Sequence, residues 1–407
     1  MYDVEAVRAE FPSLRSGIAY FDGPGGSQTP RGVAEAMSSA MTSGLSNRGR
    51  VTESERRADD IVLGARLAVA DLLGAEPGGI VFGRSMTQLT YDFSRALAKR
   101  WTPEDEIVVT RLDHDANIRP WVQAAVAVGA SVRWVDFDRG TGELATERVA
   151  AALSERTRLV AVTGASNLLG TRPDVPAIAE AAHRVNALCY VDGVHLVPHT
   201  KVDLAASGAD LFVCSPYKFF GPHLGVLAAA PDLLDRLSPD KLLPSSDDVP
   251  ERFELGTLPY ELLAGVSAAV DFIAGLAAGP SGSIQRPERL RQSYAAVDAH
   301  ENAMLQRLEE GLDRIGGIVR YGRAPSRTPL VLFSVADTSS AHVYRRLAAA
   351  NVNAPAGSFY ALECSRWLGL GDAGAVRAGL APYTSVRDVD RLLDALDGGR
   401  VSARVAG

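Results

Sequence analysis

Residues 214–227 read CSPYKFFGPHLGVL. Lys218 stands in a Tyr-Lys-Phe-Phe run, after an apolar segment ending at Cys214 and before Gly221-Pro222. A lysine is rarely buried without a partner. An ammonium among three aromatic rings therefore asks for a special environment, and the sequence around it shows which.

On both sides of this stretch, from about residue 57 to 230, short β-type runs alternate with Ala-rich helical patterns. Strands are expected at 80–82, 107–110, 132–137, 159–163, 188–191, 211–214 and 226–229, with helices such as 87–100 and 176–186 between them. This alternation predicts a largely parallel sheet with helices on both faces. Ligands of such sheets sit beyond the carboxyl ends of the strands. From about Tyr260 the pattern changes to helices at 260–278 and 287–315, a strand-like PLVLFSV, and a last helix at 386–396. A second, smaller α+β domain follows, and the Gly/Ser/Pro cluster at 277–283 reads as a loop.

Bulk properties narrow the classes. The 407 residues are 46% hydrophobic and 22% charged, an ordinary globular composition. A net charge of −7 gives no footprint for nucleic acid or an anionic membrane. Cys189, Cys214 and Cys364 are too few for a disulfide framework, which fits a reducing compartment. The N-terminal MYDVEAVRAEFPSL carries acids where a signal peptide needs a basic start. Residues 262–278 are apolar but interrupted by Asp271, as in a buried helix. A cytoplasmic protein is expected.

The residues after each strand form an inventory. GRSMTQ places Ser85 and Gln88 at capping-box spacing. Such a helix start is a cap in any case, and its free N–H groups and dipole also favour a phosphate. RLDHDAN offers His114 as a flat aromatic plate or as a plain loop hydrogen-bonding group. GASNLLG offers Ser166 and Asn167, which also suit a turn. DGVHLVPH offers Asp192 as a carboxylate aimed into the crevice. His195 and His199 share i,i+4 spacing, but Pro198 intervenes and no third ligand is near, so no metal site is expected. Ser215 and Lys218 follow the next strand. Together these strand ends supply an anion cradle, a flat ring, an amide, a carboxylate and a lysine, the set that pyridoxal 5'-phosphate needs.

With these motifs in order, the chain resembles the class V aminotransferase-type enzymes of fold type I, close to the SufS-like cysteine desulfurases. The resemblance runs from YFDGPGGSQTP through HDANIRPW, SNLLGT, VDGVHLVPH, SPYKFFGP and RFELGT to VRAGLAPYTSVRDVDRL. It implies a large cofactor domain at 21–260 around a mostly parallel seven-stranded sheet, and a small α+β domain at 261–407 on which residues 1–20 pack. Lys218 then implies the Schiff-base lysine, Asp192 the partner of the ring nitrogen, and His114 the stacking residue. Ser85, Met86, Thr87 and Ser215 imply the phosphate cup, and Asn167 a contact to the ring hydroxyl. His195 occupies a place where many relatives have a glutamine. Tyr217 stands where the desulfurases commonly have a histidine that touches the phosphate. Thr257 implies a phosphate contact donated across a homodimer interface, while Asn47 and Arg48 match a loop that approaches the neighbouring site. Arg377 implies the clamp for the substrate carboxylate.

The departure lies near the C-terminus. The position of the desulfurases' sulfur-accepting cysteine is Tyr360 here, and Cys364 follows within an expected helix at 360–368. An aminotransferase or related lyase acting on an amino acid is therefore expected, ahead of a cysteine desulfurase and of a cofactor-binding protein without turnover. Asp192 is expected to be ionised near the usual value of about 3.9, and Lys218 to be driven toward its neutral form by burial and nearby cations.

Overall fold

Strands that must be covered by helices on two faces need apolar side chains on both, and the β-branched runs of the first half supply them. The structure, a computed structural model, describes residues 2–277 and 284–398. Its strands are β1 (Ala19–Tyr20), β2 (Ile80–Gly83), β3 (Glu106–Thr110), β4 (Ser131–Val135), β5 (Thr157–Thr163), β6 (Leu188–Asp192), β7 (Leu211–Cys214), β8 (Gly225–Ala229), β9 (Ile318–Tyr321), β10 (Leu330–Val335), β11 (Val352–Asn353), β12 (Ala356–Gly357) and β13 (Ala375–Gly379).

Seven of them form the central sheet in the order β2-β8-β7-β6-β5-β3-β4. β7, β6, β5, β3 and β4 are mutually parallel, and β8 runs antiparallel to β7 and β2. The mostly parallel seven-stranded sheet expected from the sequence is the one observed. Its strands lie within two residues of the expected ends. One face is packed by Phe82, Val108, Val160, Val162 and Phe212, the other by Val81, Ile107, Val109, Leu159 and Tyr190.

Helix starts follow local chemistry. Thr52 and Glu55 close a full capping box on helix Glu53–Leu73, and Ser385 with Asp388 does the same for Val386–Asp397. Ser85 accepts the Gln88 N–H at the start of Met86–Ala98. Helix Tyr260–Gly275 buries Leu263, Val266, Val270 and Ile273 in the same core as Val62 and Val69 of helix Glu53–Leu73. Side chains of that size contribute about 1.5–3 kcal/mol each when fully buried, enough to fasten this helix to the sheet domain.

A four-stranded antiparallel sheet, β12-β13-β10-β9, carries the second core, where Phe333 and Val376 meet Leu308, Leu312, Val389 and Leu392. The N-terminal segment touches both parts. β1 pairs in parallel with β11, and Arg8 bonds Asp388 at 2.6 Å. Phe11 packs edge-on against Phe220, Phe272 and Tyr383.

One element differs from expectation. The helix expected at 360–368 runs only from Leu362 to Trp367. Phe359 and Tyr360 both hold left-handed backbone, φ 52° and 59°, which no α-helix accommodates. From residue 278 the expected 277–283 loop lies outside the described residues, as do residues 399–407 and Met1.

Candidate active site

The carboxyl ends of β3, β5, β6 and β7 open on one cavity of about 600 Å³. Met86, Thr87, His114, Asn167, Asp192, His195, Tyr217, Lys218, Tyr360 and Arg377 line it together. Two glycines let the walls close this tightly. A β-carbon on Gly193 would sit 1.9 Å from the Phe212 ring, and one on Gly225 would sit 2.2 Å from the Ser85 backbone. The first holds the turn after β6 against the sheet. The second brings β8 against the start of helix Met86–Ala98.

Lys218 ends a 3-10 turn, Pro216–Lys218, and its Nζ donates to the Pro24 carbonyl at 2.5 Å. Of the three neighbouring rings, Phe219 and Phe220 turn into the core and only Tyr217 stays beside the amine, 4.7 Å from ring centre to Nζ. Burial pushes the amine down to about 7, helped by the Arg377 cation and opposed by Asp192 and Asp22. The expectation of a lysine driven toward neutrality therefore holds.

Asp192 lies at the end of β6, 5% exposed, and its Oδ1 accepts the Val194 N–H at 2.9 Å. Burial pushes its carboxyl up to about 6, opposed by that hydrogen bond and by Lys218. This corrects the ordinary value expected from sequence: the strand end is sealed by the core, which disfavours the charged form.

His114 caps the short turn Asp115–Asn117, its Nδ1 accepting the Ala116 N–H at 3.0 Å. Burial, and next the Lys218 cation, lower the imidazole to about 4, so it is a neutral flat plate. The Tyr360 ring lies 5.6 Å from it at 29°. Asn167 donates from Nδ2 to the Phe359 carbonyl at 2.9 Å, while its Oδ1 is sealed without a partner. Arg377, on β13, is 2% exposed and donates from Nη1 to the Asn167 carbonyl at 2.8 Å. Burial brings its guanidinium down to about 9, opposed by Asp22.

Five of the residues implied by the resemblance stand outside this cavity, as does His199. The Ser85 hydroxyl is taken by its capping bond, and Ser215 is buried behind the lysine turn. Asn47 and Thr257 are exposed elsewhere on the chain. Arg48 is bonded to Asp59 at 2.7 Å and Glu251 at 3.0 Å, which occupies its guanidinium locally. His199 pairs with Glu301 at 3.0 Å.

Sequence reasoning missed several groups. The glycine-rich stretch at 21–28 supplies Pro24 and Asp22, the latter with a sealed, unpartnered Oδ1. Asp113, beside His114, is fully buried, bonded by Thr110 and by Asn117 Nδ2 at 2.7 Å, and pushed up to about 8 by burial. An aspartate four residues before an asparagine on a turn was the available signal. At the rim, Arg119 bridges Asp115 at 2.6 Å and Glu363 at 3.0 Å.

The cavity fits pyridoxal phosphate in its donor set. A strand-end carboxylate, a depressed amine and an open helix start share one space, and a sealed, unpartnered amide oxygen borders it. Comparison with known proteins points the same way. Residues 19–392 match the family described as aminotransferase class-V. An uncharacterized protein of Mycobacterium tuberculosis is 36% identical over 97% of this chain and 98% of its own. An aminotransferase-like protein of Gibberella zeae is 31% identical over 97% of this chain and 98% of its own. Among solved structures, the cysteine desulfurase CsdA (S-sulfonic acid) from Escherichia coli matches with a TM-score of 0.85 at 25% identity, over 99% of both chains. The chain belongs to the class-V aminotransferase family and is a pyridoxal phosphate-dependent enzyme of that kind.

Proposed function

We propose that the enzyme acts on an α-amino acid as an aminotransferase or a related lyase. Lys218 carries the cofactor and moves the substrate's α-proton at Nζ. Pyridoxal phosphate, when bound, supplies the electron sink that makes this proton removable. Met86 and Thr87 hold its phosphate at the helix start. His114 would lie against its ring, Asn167 would hold the ring oxygen with His195 beside it, and Asp192 would hold the ring nitrogen. An amine depressed to about 7 takes up and releases protons at neutral pH, which an unburied lysine does poorly. Arg377 receives the substrate carboxylate, and the apolar walls exclude water from Nζ.

The thiols carry the choice of reaction. Cys189, Cys214 and Cys364 are each 0% exposed, and burial pushes all three thiols up. A sulfur-accepting cysteine needs access and a low pKa. Tyr360, 78% exposed, stands at the cavity mouth instead. A second reading, cysteine desulfurase, draws on the whole-length likeness to CsdA. Incubation with cysteine decides between them. The proposal expects keto-acid or elimination products from other amino acids and little sulfide; sulfide with alanine, lost in Cys364→Ser, reverses the choice.

We also propose a cytoplasmic homodimer in which Asn47 and Thr257 reach the partner's cavity. Support comes from their exposure and from the Arg48–Glu251 pair that joins the two loops. In that arrangement Arg48 braces its loop. Among the described residues no helix is long and apolar enough to cross a membrane. For the domains, the packing of Tyr260–Gly275 supports extending the 21–260 unit through that helix. Sedimentation, with mixed dimers of Lys218→Ala and Thr257→Ala chains, tests the shared site: mixing restores activity if it is shared and leaves none if it is not.

A further inference from the structure

His195 borders the cavity, yet its hydrogen-bond partner among the described residues stands 133 positions further along the chain. Its Nε2 lies 2.9 Å from the Thr328 hydroxyl, just before β10. Thr328 is held against the turn after β5: its N–H donates to the Gly170 carbonyl at 2.9 Å. The Thr328 hydroxyl is 3.3 Å from the same carbonyl. That oxygen keeps a lone pair for a second bond, but its contact is the longer of the two, so the hydroxyl proton has its shorter acceptor in Nε2.

The imidazole is neutral. Burial lowers it well below its usual range, and His199, Arg377 and Lys218 act in the same direction. The His199 ring stands edge-on to it at 5.2 Å and 77°, and is itself fixed by Glu301 at 3.0 Å. A neutral imidazole has one N–H. If Nε2 accepts from Thr328, the proton is on Nδ1. Among the described residues Nδ1 has no partner, and it is absent from the polar atoms sealed without one, so it opens on the cavity that His195 lines.

We propose that Thr328 is a positioning residue that fixes His195 as an Nδ1–H donor directed at an anionic oxygen in the cavity. The oxygen belongs either to the cofactor ring or to the substrate carboxylate. This deepens the function proposed above, but its first test needs neither cofactor nor turnover. A lone-pair acceptor at Nδ1 would repel such an oxygen. A fixed donor spares the site a tautomer change when the oxygen arrives.

Long-range proton–nitrogen spectra of the full-length, ¹⁵N-histidine-labelled protein read the tautomer directly, with His195→Gln assigning the signals. The wild-type chain is expected to show a protonated Nδ1 and a bare Nε2. Thr328→Val is expected to shift the tautomer ratio toward Nε2–H by about fivefold, the share one ordinary hydrogen bond holds, and Thr328→Ser to restore it. A wild-type Nε2–H, or a ratio unchanged in Thr328→Val, overturns the proposal whatever the enzyme's reaction proves to be. Adding pyridoxal phosphate, then a carboxylate analogue of an amino acid, separates the oxygens. A downfield Nδ1 proton on the first addition assigns the ring oxygen, and one only on the second assigns the carboxylate. No shift with either refutes the donor role.

Discussion

The guanidinium carbon of Arg377 lies 3.7 Å from the centre of the Phe359 ring, while Nη1 of the same side chain bonds the Asn167 carbonyl. The ring is brought there by a left-handed backbone at Phe359, and the Asn167 amide holds the Phe359 carbonyl in return. A buried cation is thus held from two sides, with its Nε sealed and unpartnered and its Nη2 without a hydrogen-bond partner among the described residues.

That arrangement predicts a split in kinetic effects. Arg377→Ala should raise KM for the amino acid by about tenfold to a hundredfold, the range for a charge-assisted bond of about 1.5–3 kcal/mol, with cofactor occupancy unchanged by absorbance. Phe359→Leu should act in the same direction and more weakly, since a cation–π contact contributes about 0.5–2 kcal/mol. Loss of cofactor in either variant would place Arg377 in a different role.

The Lys218 amine should titrate near pH 7 in the full-length protein before cofactor is added. Above that pH it is neutral and reactive; below it, protonated. Arg377 lowers its pKa and Asp192 raises it. Arg377→Ala should therefore move the midpoint upward and Asp192→Asn downward, read from the pH dependence of amine labelling. Because the unfolded lysine binds its proton up to its ordinary pKa, this group makes stability rise with pH between about 7 and 10. An unshifted midpoint in both variants would contradict the charge assignments.

Asp192→Asn keeps the shape of the strand end and removes its charge. Cofactor affinity and kcat should each fall by about tenfold to a hundredfold, the effect of one charged hydrogen bond, while far-UV circular dichroism stays unchanged.

Cys364→Ser and Cys364→Ala should leave turnover intact. The alanine variant should cost about 1 kcal/mol of stability or less, as for any small buried side chain, measured by denaturant unfolding.

Gly193→Ala is expected to destabilise the fold by about 1–3 kcal/mol, since its methyl group would overlap the Phe212 ring and force it aside. A lower Tm together with weaker cofactor binding would show that the strand-end turn and the ring beneath it act as one unit.

The sheet was legible because its strands, the alternating edge strand β4 excepted, are apolar runs bounded by turn residues, so their type and their places along the chain follow from periodicity. The residues just after the strands were legible for the same reason: topology alone gathers His114, Asn167, Asp192 and Lys218 at one edge. What escaped depends on long-range closure. The Asp22–Pro24 turn contacts Lys218 from nearly two hundred residues away, and nothing local marks it. Thr328 reaches His195, and Glu301 its neighbour His199, from 133 and 102 positions further along the chain. The shifted carboxyl of Asp192 reflects burial, which a strand-end aspartate does not announce. The strained pair Phe359–Tyr360 broke the expected helix because aromatic residues give no warning of a left-handed backbone.

The central claim is that Lys218 is the residue that joins the cofactor opposite Asp192. The chain has four lysines, at 99, 201, 218 and 241. Reduction of the cofactor-loaded protein with borohydride, followed by peptide mass spectrometry, should place one pyridoxyl group on the peptide containing Lys218 and on none of the others. A label on Lys99, Lys201 or Lys241, or none on any lysine, would contradict it.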